Sequence, residues 1–169
     1  MVIDNYFSKI FDLMPSPTLI MLPDVPRFTI VDVNNAYLKL ANLAREDFIG
    51  KGFFEAFPDN QYSKMVEQEN SLKEAVTYKK PSNTPTQVYE YPSINASGNV
   101  VKYFNALNTP VLNDENEVEL IIRTVTDVSE SIITLQKEEL AKINFDDVDS
   151  IAFIQSIRVG IIIFADLDL

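Results

Sequence analysis

The chain has 169 residues, enough for one domain with a sizeable core and part of a second. Hydrophobic residues make up 46% and aromatic residues 11%, which suits a packed globule, while 14 basic against 25 acidic side chains give a net charge of −11 that disfavours nucleic acid and anionic membrane surfaces as partners. With neither Cys nor His, disulfides, thiolate or imidazole metal sites and cysteine nucleophiles are ruled out, and any catalysis would rest on carboxylates, Lys, Tyr or Ser/Thr.

From Asp4 to Met14 the residues Tyr6, Phe7, Ile10, Phe11 and Met14 recur at steps of three and four, which predicts a helix ended by Pro15 and Pro17. Thr18 to Leu22 is a short apolar strand, "PDVPR" a turn, and Phe28 to Val33 a second strand returning antiparallel beside the first. At Asn34-Asn35 the strand pattern stops. A side-chain oxygen there can accept the unpaired N–H groups of a following helix, so one of the two asparagines is expected to cap a helix carrying Ala36, Tyr37, Leu40, Ala41 and Ala44. "REDFIGKGFFEAFPDN" continues as short helices, with Phe53, Phe54 and Phe57 ahead of Pro58.

A longer helix is expected from Ser63 to Lys79, with Tyr62, Met65, Val66, Leu72, Ala75 and Val76 inward and charged residues around the rest. Three strand-like runs follow, Thr86 to Tyr91, Val100 to Val111 and Val118 to Val128, the last two joined by the polar turn "LNDENE" into a meander. Two strands, helices and three strands predict an α+β domain: a five-stranded antiparallel sheet with helices on one face. No run approaches the roughly 18 to 20 apolar residues of a membrane span, and the N-terminus has no basic region ahead of an apolar one, so the chain reads as cytoplasmic. Its four scattered glycines fit no nucleotide fingerprint.

On the last strand, Glu119, Ile121, Arg123 and Val125 are assigned outward because of their charges, leaving Leu120, Ile122 and Thr124 inward. Lys102 is likewise read as outward, which turns Tyr103, Asn105 and Leu107 towards the helices. The candidate ligand contacts are therefore Tyr103, Asn105, Leu107, Ile122 and Thr124, with Phe54 and Tyr91 beside them. Asn105 carries the most information, since an inward amide must find partners in protein, water or ligand.

"FTIVDVNNAYLKLANLAREDFIGKGFFEAFPDN" and "YFNALNTPVLNDENEVELIIRTVTDVSE", closing on Asp-Val-Ser, together resemble the PAS domain, in the version common in bacterial sensor histidine kinases. The resemblance covers Asp4 to about Glu130. It implies a sensory or coupling module, with any ligand held non-covalently between the inner sheet face and the helices, and with Asp127 tying the sheet to an outgoing helix. The haem and flavin-adduct branches need a His or a Cys, so the cofactor is left unknown. One departure stands out: the usual Asp-Gly turn is replaced by Asp114-Glu115-Asn116, so positive φ must come from Asn116 or the loop must be longer.

After Ser129, Ile133, Gln136, Leu140 and Ile143 follow near-heptad spacing, either as a helix packed on its own domain or as a dimer seam. The expected organisation is an N-terminal helix over residues 1–14, a PAS domain over 15–130, a linker helix over 131–148, and over 149–169 the truncated start of a possible second PAS domain. The favoured reading is a sensory module that binds a small molecule non-covalently, forms a homodimer, or does both, and signals through its C-terminal helix to an output domain outside this chain. A ligand-free dimerisation spacer and a small acid-base enzyme on an α+β cone are the alternatives.

Overall fold

The computed structural model describes residues 4–57, 62–92 and 99–142. In chain order the elements are α1 (Asp4–Leu13), β1 (Thr18–Met21), β2 (Ile30–Val33), α2 (Asn35–Ala41), a 3-10 turn (Arg45–Asp47), α3 (Phe53–Ala56), α4 (Tyr62–Tyr78), β3 (Ser82–Asn83), β4 (Gln87–Pro92), β5 (Asn99–Leu112), β6 (Val118–Asp127) and α5 (Ser129–Lys142). Every helix and strand expected within the described residues is present, and the fold is α+β as expected. The proposed second domain at 149–169 and the heptad residue Ile143 lie outside the described residues.

The sheet has six strands rather than five, in the order β2-β1-β6-β5-β3, with β4 also pairing β5. The additional strand is β3, whose Ser82 and Asn83 face Asn108 and Leu107 of β5. Two polar residues leave no hydrophobic alternation to read. Central β1 runs antiparallel to both β2 and β6, and all four of its residues are buried. A register shift on the β2 side, between Ile20↔Asp32 and Met21↔Ile30, leaves Val31 without an opposing residue, as a bulge does.

Two compact units divide the chain: Met1–Val88 with Tyr103–Asp127, and Tyr89–Lys102 with Val128–Leu169. The first holds α1 to α4 and the core of the sheet. Phe28, Phe48, Phe53, Leu19, Met21, Ile30, Leu72 and Ile121 are fully buried there. Each of the large side chains contributes about 1.5–3 kcal/mol by leaving water. Tyr37, Phe48, Phe53 and Phe57 form one aromatic cluster, with neighbouring ring centroids 5.2 to 6.3 Å apart, so short α2 and α3 are anchored by rings more than by their own helical propensity.

Asn34, not Asn35, is the helix cap: its Oδ1 accepts from the Tyr37 N–H at 2.9 Å, while Asn35 is exposed. The same oxygen accepts from the Thr18 N–H at 3.0 Å, and Nδ2 donates to the carbonyls of Ser16 at 2.9 Å and Met14 at 3.3 Å. One buried amide thus joins the end of α1, the start of β1 and the start of α2.

The two glycines of "GKG" have separate reasons. Gly50 adopts φ +80°, and a Cβ on Gly52 would lie 2.9 Å from both Cγ and the carbonyl oxygen of Arg27. The β5–β6 turn takes its positive φ from Asn116, at 62°, as the sequence required, and the Asn113 carbonyl and side chain close it onto Asn116, Glu115 and Glu117.

Candidate functional site

The facing of β5 and β6 is the reverse of the sequence reading. Arg123 is 4% exposed, and Ile121 and Val125 are buried with it; on the stretch of β5 that pairs with β6, the buried residues are Phe104, Ala106 and Asn108. Pairing places Asn108 opposite Arg123, Ala106 opposite Val125, and Leu19 of β1 opposite Arg123, so these residues share one face. That face is the one under the helices, because the Arg123 guanidinium lies 4.8 Å over the Phe53 ring of α3 and reaches Gln68 of α4. Tyr103, Asn105, Leu107, Ile122 and Thr124 share the opposite face: Leu107 pairs with Thr124 and is exposed, and the other four are half-buried. The expectation that they point towards the helices is therefore corrected. It failed because a charge was taken as proof of exposure, whereas this arginine has amide acceptors and an aromatic face to receive it.

What the inner face holds is a directed polar network. Arg123 donates through Nη1 to Asn108 Oδ1 and through Nη2 to Gln68 Oε1, both at 2.9 Å. Asn108 Nδ2 donates to Ser71 Oγ at 2.9 Å. Ser82 Oγ donates to Glu74 Oε2 at 2.8 Å, which uses its one proton, so in the 3.1 Å Ser71–Ser82 contact Ser71 is the donor. The chain Arg123 → Asn108 → Ser71 → Ser82 → Glu74 runs from the core to a surface carboxylate, each member polarising the next.

Gln68 breaks the pattern of satisfaction. Its Oε1 must face Arg123, which fixes the amide and sends Nε2 elsewhere, and Nε2 is buried with no hydrogen-bond partner among the described residues. Among the described side chains of α4, Gln68, Ser71, Leu72 and Ala75 are buried, at helical steps of three, one and three. The sequence reading counted only apolar residues and so missed the polar half of this stripe. The spacing itself was the available signal.

Phe54, beside Phe53 with ring centroids 5.1 Å apart, is half-buried at the end of the aromatic cluster, and Tyr91 lies on β4. Asp127 is the exposed last residue of β6, opposite Phe104 and two positions before α5. Asn105 Oδ1 is buried on the outer face with no partner among the described residues.

Asp24, Arg27 and Glu55 have shifted protonation. Burial pushes the Asp24 carboxyl up, but hydrogen bonds from the Thr29 hydroxyl and N–H and from its own N–H carry it below the ordinary value. A hydrogen bond to Arg27 lowers exposed Glu55, helped by the Gly52 N–H, and raises Arg27 in return. No group of three or more acidic side chains arranged to hold a metal occurs among the described residues.

An antiparallel sheet with short helices packed across one face defines a small α+β domain. A profile for the PAS domain matches residues 17–130, most of the chain, so the chain belongs to the PAS family, whose members are sensory modules. Solved structures agree on the fold. The PAS domain of Bordetella pertussis BvgS superposes with a TM-score of 0.55 at 16% identity, covering 82% of this chain and 95% of its own. A sensory box sensor histidine kinase from Vibrio cholerae gives 0.50 at 18%, covering 75% and 91%. An RNA-binding light-oxygen-voltage receptor gives 0.61 at 15%, covering 83% of this chain; the chain spans 37% of that receptor's length. No curated protein sequence gives a significant match.

Proposed function

We propose that this chain is a non-catalytic sensory module that holds a small molecule non-covalently between the inner sheet face and α3 and α4, and passes the result through α5 to an output domain. The observation that carries the reading is the buried Gln68 Nε2, an oriented donor without a partner beside the Arg123 guanidinium, because leaving such a group unmade costs about 1–3 kcal/mol unless something accepts it. Phe54 is proposed as a further neighbour of the ligand. Asp127, between β6 and α5, is proposed as the coupling residue. Resemblance to the Bordetella and Vibrio structures supports a bacterial, cytoplasmic, two-component setting in which the phosphoacceptor lies outside this chain, which has no His.

A second reading, dimerisation, has its own observation. On α1, Phe11 is buried but Tyr6, Phe7, Ile10 and Leu13 are 52 to 83% exposed, more apolar surface than one short helix ordinarily leaves in water. A two-fold homodimer through α1 would cover it. The outward residues Tyr103, Asn105, Leu107, Ile122 and Thr124 are assigned to interaction, with Asn105 Oδ1 as the group that a covering element must satisfy. Native mass spectrometry of the purified chain separates the two readings. Retained extra mass supports sensing; a bare dimer supports the spacer.

A further inference from the structure

We infer that α1 is a release element: it leaves the body of the domain as a unit, pivots at Pro15, and passes Arg45 from two carboxylates to one. Among the described side chains of α1, Phe11 alone is buried, whereas Tyr6, Phe7, Ile10 and Leu13 are exposed. One ring therefore carries the apolar attachment of a ten-residue helix that lies against α2. Its polar attachment is as slight. The Asp12 carboxylate accepts from Arg45 Nη2 at 2.6 Å, and just past the helix the Met14 carbonyl accepts from Asn34 Nδ2 at 3.3 Å.

Beyond Pro15 the chain is held much more firmly. The Ser16 carbonyl accepts from both the Thr18 hydroxyl and Asn34 Nδ2 at 2.9 Å, the Pro17 carbonyl accepts from the Val125 N–H of β6 at 2.9 Å, and the Thr18 N–H donates to Asn34 Oδ1 at 3.0 Å. The step from weak to strong attachment thus falls at exposed Pro15. Arg45 lowers the cost of separation: its Nη1 holds Asp32 of β2 at 2.5 Å, so the guanidinium keeps a carboxylate when Asp12 departs, and Asp12 and Asp32 cease to repel each other around it. All three side chains are partly exposed, so water takes up the freed Asp12. A helix of this length is marginal on its own in water, so α1 unravels on release and the gain in chain entropy favours the released state. Release is felt at α2, because the amide nitrogen that loses Met14 belongs to the Asn34 side chain that caps α2. α1 is in this way a device with two states, docked or free, both with the sheet intact.

Native-state amide exchange of the full chain, read residue by residue by NMR in dilute solution, tests this. In the wild type the helix-bonded amides from Ser8 to Leu13 are expected to share one opening equilibrium and to open at least about tenfold more often than the amides of β1 and β6. Protection that falls off in a gradient towards the N-terminal end of α1 is fraying and would overturn release as a unit; protection equal to that of β6 would overturn release altogether. Arg45→Met lies outside α1 and leaves its helical propensity untouched, so it should raise exchange in α1 by about twofold to fivefold, the equivalent of one half-exposed ion pair. Asp32→Asn removes the carboxylate that keeps Arg45 in the released state, and should slow exchange in α1. Opposite signs for the two variants support the transfer of Arg45 from two carboxylates to one. Acceleration in both, or no change in either, would overturn it.

Discussion

Replacing Asn34 by Ala removes four hydrogen bonds from a fully buried residue and should be strongly destabilising. Loss of the cap on α2 costs about 1 kcal/mol. The Thr18 N–H, on a residue 1% exposed, loses its acceptor at a site water cannot reach, which adds about 1–3 kcal/mol. Ser16 and Met14 are exposed, so their carbonyls can turn to solvent and add little. The sum is about 2–4 kcal/mol, and it should appear as a lower urea midpoint with an unchanged slope. Asn35→Ala, at the exposed neighbour, should stay within about 0.5 kcal/mol of the wild type. Asn34→Asp keeps the acceptor for Thr18 and Tyr37 but sets a carboxylate against the Ser16 carbonyl, so it should fall between the two. Equal midpoints for Asn34→Ala and Asn35→Ala would refute the view that this amide is the junction of α1, β1 and α2.

Arg123→Met keeps the volume but leaves Asn108 Oδ1 and Gln68 Oε1 buried without their donor, so it should destabilise by about 2–4 kcal/mol in urea titration; a neutral effect would mean that the network is not closed as described. Leu107→Trp, on the exposed outer face, should leave any retained small molecule in place, and loss of that molecule would return the site to the outer face. Arg45 bridges Asp12 of α1 at 2.6 Å and Asp32 of β2 at 2.5 Å, so Arg45→Met should cost about 1 kcal/mol at low salt and less at high salt, read from urea midpoints at two ionic strengths. Because the Asp24 pKa is lowered in the folded state, the unfolded chain takes up its proton first; the stabilisation is present above the ordinary pKa of 3.8 and lost as pH falls below it, and Asp24→Asn should remove that part of the acid sensitivity in thermal melts. Phe7→Glu should reduce self-association in sedimentation velocity, and wild-type association should strengthen with salt, which screens the net charge of −11; a wild type that stays monomeric at both ionic strengths would count against the dimer.

The elements were legible because each left a local signal: the short apolar runs of β1 and β2, the Asn34 cap, the helical period of α4, and Asn116 in the turn that needed positive φ. The site was less so. Ile121, Arg123 and Val125 alternate with Leu120, Ile122 and Thr124, and the two sets are almost equally apolar, so the pattern alone does not choose a face. Charge was used to break the tie, and it chose wrongly, because the energetic cost of burying Arg123 depends on Gln68, Asn108 and Phe53, which are 55, 15 and 70 residues away in the chain. On β5 the same assumption, applied to Lys102, turned that strand as well, since an error of one position moves every side chain to the other face. Polar residues at core spacing on α4, Gln68 and Ser71, were the one local hint that the inner face is not uniformly apolar.

A crystal structure of the protein purified without added ligand tests the central claim most directly, by showing what accepts from Gln68 Nε2. The account predicts an organic molecule with an acceptor atom about 2.7–3.2 Å from that nitrogen, under α4. A Gln68 amide satisfied by a protein side chain or by water alone would contradict it.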